Sequence, residues 1–193
     1  PSDLMLISEA VFRARANKII EIGVARGGTT LFLASLLRLF HEKNNAAVIG
    51  VDILFSKHTK EAIQGSKLKD SIVLIEGNSL SNDTFNKVKE NIKQNDVVLV
   101  ILDSDHTKDH VFQEMIKYSP IVTTNSFLIV MDTAIEYLDP TVIPVEKKWS
   151  RLNNPKNAVE DYLKNFPGSF EIDESLNSRS MPGAAKDGFL RKS

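Results

Sequence analysis

Cysteine is absent from the 193 residues. Disulfides, zinc–thiolate centres and thiol nucleophiles are therefore excluded, and a reducing cytoplasm is the expected compartment. Long apolar runs are lacking too. The longest, Leu31 to Phe40, is broken by Ser35 and Arg38 and falls well short of the ~20 residues that cross a bilayer. No basic-then-apolar leader opens the chain. It starts at Pro1 rather than Met, so an N-terminal piece is expected to precede it. One-sided charge is missing as well: 24 basic residues face 25 acidic ones, a net charge of −1. That balance gives no electrostatic footprint for nucleic acid or an anionic membrane. The expected partner is a small molecule, with a homo-oligomer left open.

What remains is an ordinary globular composition, 42% hydrophobic and 25% charged. The length suits one domain spanning 1–193. Short apolar runs alternate with amphipathic segments. Helices are expected over Ser2–Ala16, Gly28–Lys43, Asp83–Lys93, Thr107–Tyr118 and Pro155–Phe166, the last with Asn154 as N-cap and Pro155 at its first position. Strands are expected over Lys18–Ile22, Ala47–Ile53, Ser71–Glu76, Asp96–Leu102, Ser126–Met131, Ser169–Asp173 and Gly188–Arg191. Asp96–Leu102 has no polar alternation, as a strand covered on both faces requires. This order predicts a doubly wound, mostly parallel α/β sheet of seven strands. Ligands bind such sheets beyond the carboxyl ends of the strands.

The first strand runs into Glu21-Ile22-Gly23-Val24-Ala25-Arg26-Gly27-Gly28-Thr29. Glycines here permit a tight strand-to-helix turn and close approach of a ligand, though a plain turn would look the same. Asp52 ends the second strand 24 residues after Gly28, near the spacing at which an acid meets ribose hydroxyls. Glu21 precedes the first glycine by two residues. A carboxylate there repels a pyrophosphate but suits a cationic cofactor. S-adenosylmethionine offers a ribose, an ammonium and a sulfonium, and no phosphate, so charge favours it over NAD. The third strand ends in Gly77-Asn78-Ser79, able to meet an adenine edge or simply to turn.

The fourth strand ends in Leu102-Asp103-Ser104-Asp105-His106 and the fifth in Val130-Met131-Asp132. On neighbouring strands Asp103 and Asp132 would bring two like charges together, a pair that needs a shared proton or a cation. Mg²⁺ is the economical cation; otherwise the two point apart and cap the segments after their strands. His106 precedes a helix N-terminus, which disfavours imidazolium. It suits a general base for a hydroxyl proton, or a structural role. His110 one turn later could face the site or solvent. Between Asp132 and Pro155 lie over 20 residues without clear periodicity. They form either a lid carrying Tyr137 and Trp149 to a substrate or an ordered surface excursion.

Five stretches together resemble the cephalosporin hydroxylase-like family, relatives of rhamnosyl and macrolide-sugar O-methyltransferases. They are IIEIGVARGGTTLFLASLL, VIGVDI, LIEGNS, LDSDHTKDHVFQEMIKYSPIVTTNSFLIVMDT and NNPKNAVEDYLKNFP, with GFLRK adding to the match. The resemblance implies a class I methyltransferase fold, S-adenosylmethionine, Mg²⁺, and O-methylation of a sugar or natural-product hydroxyl. Position by position, it implies a cofactor turn at Gly23 to Thr29 and a ribose acid at Asp52. It further implies an adenine-side turn at Gly77 to Ser79, a metal-binding Asp103 and a proton-accepting His106. The family's acidic pair after the fifth strand is here Met131-Asp132, so one carboxylate is missing. Asp105 stands where the family often has Asn and could restore it.

Two other classes compete. A cofactor-binding module without turnover would explain Met131. A NAD-dependent dehydrogenase is disfavoured by Glu21 and by the lack of a Tyr-x-x-x-Lys pair, since Tyr118, Tyr137 and Tyr162 are followed at that spacing by Val122, Thr141 and Phe166.

Overall fold

The computed structural model describes residues 2–41, 46–144, 146–180 and 184–193. The chain opens with helix α1 (Ser2–Ala14), then alternates strand and helix: β1 (Lys18–Ile22), α2 (Gly28–Phe40), β2 (Ala47–Asp52), α3 (Lys57–Gly65), β3 (Ile72–Glu76), α4 (Asn82–Glu90), β4 (Val98–Leu102), α5 (Lys108–Tyr118), β5 (Phe127–Val130) and α6 (Pro155–Asn165). A closing unit adds β6 (Phe170–Ile172), the one-turn α7 (Glu174–Asn177) and β7 (Phe189–Lys192). The seven strands form one sheet in the order β3-β2-β1-β4-β5-β7-β6. Pairs among the first five are parallel, and β7 lies antiparallel between β5 and β6. The expected doubly wound architecture is thus present.

Strand periodicity explains the two cores. Val98, Val100 and Leu102 of β4 face one side, where they pack with Met115 and Tyr118 of α5 and Val159 of α6. Leu99 and Ile101 face the other, among Ile7 and Val11 of α1 and Leu33 and Leu37 of α2. Alternate Cβ directions along a strand send successive residues to opposite faces. With both faces covered, every residue of β1 and β4 is buried, which is why their sequences show no polar alternation.

Helix ends follow their caps. Asn154 accepts from Lys156 N at 3.0 Å and Pro155 occupies the first turn of α6, as the sequence predicts. Ser56 and Ser81 cap α3 and α4 in the same way. The observed elements end one to three residues inside the expected bounds in most cases. Lys43, the expected end of α2, lies outside the described residues. Helix α3 was not expected, because it buries only Thr59 and Ile63 and so shows almost no apolar stripe.

Register aligns the strand ends that matter. Ile22 pairs with Val51 and Leu102, Asp52 with Glu76, and Leu102 with Val130. Gly23, Asp52, Gly77, Asp103 and Met131-Asp132 therefore emerge along one edge of the sheet.

Candidate active site

The glycine-rich turn is a backbone construction. Gly23 has φ +94°, and a Cβ there would lie 2.0 Å from the Asp103 carbonyl oxygen. Only glycine lets the end of β1 pass this close to the end of β4. Ala25 and Gly27 also take left-handed conformations. Asp52 stabilises the turn: its Oδ2 accepts from both Val24 N and Ala25 N at 2.9 Å. Its Oδ1 has only a long contact, 3.4 Å from Leu54 N, and stays available to a ligand. Thr59 of α3 donates to the Ala25 carbonyl at 2.9 Å, holding the turn from outside.

Beyond these strand ends lies a cavity of about 400 Å³. Of the residues picked out in the sequence, Gly23, Ala25, Asp52, Gly77, Asn78, Ser79, Asp103 and Asp105 line it; His110, whose direction the sequence left open, also faces it, whereas His106 and Asp132 are not among its walls. Gly27, Gly28 and Thr29 are not among its walls and form the start of α2 instead. Glu21 is not in the wall either. It is 1% exposed and takes a short hydrogen bond from Thr30 Oγ1. Burial pushes its carboxyl up to about 8, with the charges of Asp103 and Asp52 acting in the same direction. Near neutrality Glu21 is thus mostly a protonated strut beneath the turn rather than an open negative charge.

The wall at Ser79 is fastened from below by a residue that sequence reasoning missed. Glu114 of α5 is fully buried. Its Oε1 accepts from Ser79 Oγ (2.6 Å) and Ser104 Oγ (2.7 Å) and meets His110 Nε2 at 3.0 Å. Tyr118 donates to the Ser79 carbonyl at 2.9 Å. The ends of β3 and β4 are therefore tied to α5 through one carboxylate, which also raises the His110 pKa. The only signal in the sequence was the His110/Glu114 spacing of four, which puts both on one helix face.

Asp103, His106 and Asp132 each bring a possible ligand atom within 4.8 Å of the others; of the three, only Asp103 is among the walls of the cavity. His106 Nε2 is 3.3 Å from Asp132 Oδ2. Burial, then the neighbouring Asp132 charge, pushes the Asp103 carboxyl up to about 7. Two half-buried carboxylates in this relation suit a hard divalent cation, which would keep both ionised. Asp105 does not complete the group. Its Oδ1 accepts from Thr107 N and Thr107 Oγ1 at the entrance to α5. Met131 turns from the site and packs on the core that holds Phe127 and Ile129.

The segment after β5 folds back over this group. Glu136 accepts from Leu152 N at 2.9 Å and Asn154 Nδ2 at 2.6 Å. Asn153 Oδ1 accepts from Lys108 N at 3.1 Å. The loop so pinned sets Trp149 edge-on to His106, ring centroids 6.2 Å apart. Tyr137 is directed elsewhere and donates to Asp187 Oδ2 at 3.0 Å.

The family model for Rhamnosyl O-methyltransferase/CmcI matches residues 1–193. The chain belongs to this family. A rhamnosyl O-methyltransferase of Mycobacterium leprae (strain TN) is 27% identical over 98% of this chain and 77% of its own length. CmcI solved with Mg and SAM superposes with a TM-score of 0.67 at 19% identity, covering all of this chain and 72% of CmcI. MycE with Mg and SAH gives a TM-score of 0.54 at 16% identity, over 80% of this chain and 38% of MycE. These likenesses show that the fold described above is shared with the two solved methyltransferases.

Proposed function

We propose that this chain is an S-adenosylmethionine-dependent O-methyltransferase acting on a hydroxyl of a sugar or small natural product, with Mg²⁺ at its metal site. The observation that carries this reading is the convergence of Asp103, His106 and Asp132 on one another, with Asp103 also forming part of the wall of the glycine-turn cavity. Family membership over the full chain supports it. S-adenosylmethionine, when bound, would supply the methyl group, and Mg²⁺ held by Asp103 and Asp132 would supply Lewis acidity to the hydroxyl that receives it. Asp52 holds ribose hydroxyls through Oδ1, and the Gly77–Ser79 turn borders the adenine. Asp103 and Asp132 hold the cation. His106, whose Nε2 lies 3.3 Å from Asp132 Oδ2, is the base that would take the hydroxyl proton. The protein's main task is alignment of donor and acceptor. Residues 1–193 work as one domain in the cytoplasm, on a small molecule rather than a nucleic acid or membrane, with room for a homo-oligomer. No described helix is long and apolar enough to cross a membrane.

Calorimetric titration with S-adenosylmethionine, with and without Mg²⁺ and beside Asp52→Ala, tests the reading. Binding in the micromolar range that is lost in the variant is expected. No binding under any condition would remove the methyl-transfer assignment and leave the fold.

A further inference from the structure

A second cavity, of about 380 Å³, opens in the loop between β5 and α6. Its apolar walls are Pro140, Ile143, Pro144 and Trp149, and Lys147 and Arg151 border it. Lys147 Nζ stands 5.8 Å from the Trp149 ring centroid. Neither Lys147 nor Arg151 has an ion pair within 4 Å among the described residues. The acids nearby are largely engaged. Glu136 is held by Leu152 and Asn154, Asp139 by Thr141, and Arg151 acts on both only at a distance. Glu146, the remaining acid of the loop, is exposed. The same indole that walls this cavity meets His106 edge-on, ring centroids 6.2 Å apart, so Trp149 links the two.

We propose that this cavity is the acceptor subsite and that it takes a sugar carrying a phosphate or carboxylate group. This rests on the methyl-transfer reading and narrows its substrate class. The apolar C–H face of a pyranose packs on an indole face, as aromatic walls favour. The guanidinium of Arg151 matches the two oxygens of a carboxylate or phosphate in a bidentate fork, and the ammonium of Lys147 adds a point charge. Two cations left without counter-charge at a cavity rim repel each other until an anion arrives. A neutral glycoside would fill the apolar part and leave that repulsion in place.

Trp149 is the only tryptophan of the chain, so its fluorescence reports this cavity and the adjoining His106, and Lys147 and Arg151 variants separate the two. The full chain is titrated with glucose 1-phosphate, glucuronate, inorganic phosphate and methyl α-rhamnoside, in parallel with calorimetry of S-adenosylhomocysteine. We expect saturable quenching by the first two, with the stronger of them distinguishing phosphate from carboxylate. Arg151→Ala and Lys147→Ala should each weaken it on the order of tenfold, as for a lost charge-assisted hydrogen bond. Arg151→Lys should recover part of the loss, and S-adenosylhomocysteine binding should not change. Quenching by the rhamnoside as strong as by the anions, or equal in the variants, would overturn the proposal. So would quenching by inorganic phosphate alone. Failure of the unsubstituted protein to bind S-adenosylhomocysteine would instead sink the methyl-transfer reading, and the acceptor role of the cavity with it.

Discussion

Around the glycine-rich turn the protein supplies its own polar partners, whereas at the Asp103–Asp132 pair it leaves them to something else. Asp52 receives two backbone N–H groups, Glu21 a hydroxyl, and Glu114 three side-chain groups on a single oxygen. The side chains of Asp103 and Asp132 have no neighbour among the described residues that offers a hydrogen bond, apart from His106. The first region is held in shape before any ligand arrives. The second is a pair of charges whose mutual repulsion only a cation or a proton relieves. A rigid cradle beside an uncompensated cluster is the arrangement expected where binding energy is to be used in aligning a reaction.

Four measurements bear on that contrast. The largest effect is expected of Gly23→Ala. A Cβ 2.0 Å from the Asp103 carbonyl, at φ +94°, costs about 3 kcal/mol or more in denaturant unfolding and should dismantle both regions together. Next, His106→Ala should lower methyl transfer by roughly 10²–10⁴ while S-adenosylhomocysteine binding stays within about twofold; equal losses in both would erase the distinction between the regions.

The third is a pH dependence set by Glu21. Its folded-state pKa of about 8 lies above the ordinary 4.5, so between these values the folded protein keeps a proton that the unfolded chain has released. This contribution is complete below about pH 4.5 and is lost as pH rises through 8, with a slope of at most about 1.4 kcal/mol per pH unit. Glu21→Gln should flatten that slope. A slope unchanged by the substitution would assign it to another group. The smallest effect on binding is that of Met131→Glu. Because Met131 packs on the core and not toward the Asp103–Asp132 group, the added carboxylate should leave Mg²⁺ affinity within about twofold and lower folding stability instead. Mg²⁺ binding tightened on the order of tenfold would mean instead that position 131 reaches the site.

The sequence reported the two regions unequally, for a physical reason. Strand ends and their terminal residues were legible: β4 is a continuous apolar run, and Asp52, Asp103 and Asp132 lie at or just beyond the ends of β2, β4 and β5. Asn154 and Pro155 announced α6. Helix α3 was hidden because a helix with two buried residues carries no stripe. Glu114 was hidden because a helical acid reads as a solvated one until the loops after β3 and β4 are seen to close over it. Glu21 was visible, but its protonation was not, because desolvation is a property of the packed state. The second cavity depends on how the loop is pinned by Glu136 and Asn153, contacts 16 and 45 residues away along the chain, and no local pattern encodes them.

The antiparallel β7 lies between β5 and β6, both of which precede it in the chain. During vectorial synthesis β5 must therefore wait with its outer edge unpaired, and β6 has no strand to join, until Phe189–Lys192 leaves the ribosome. A strand edge held open that long is a template for wrong partners. The nascent chain's exposure to chaperones is thus set by its closing strand rather than by the residues that carry the chemistry.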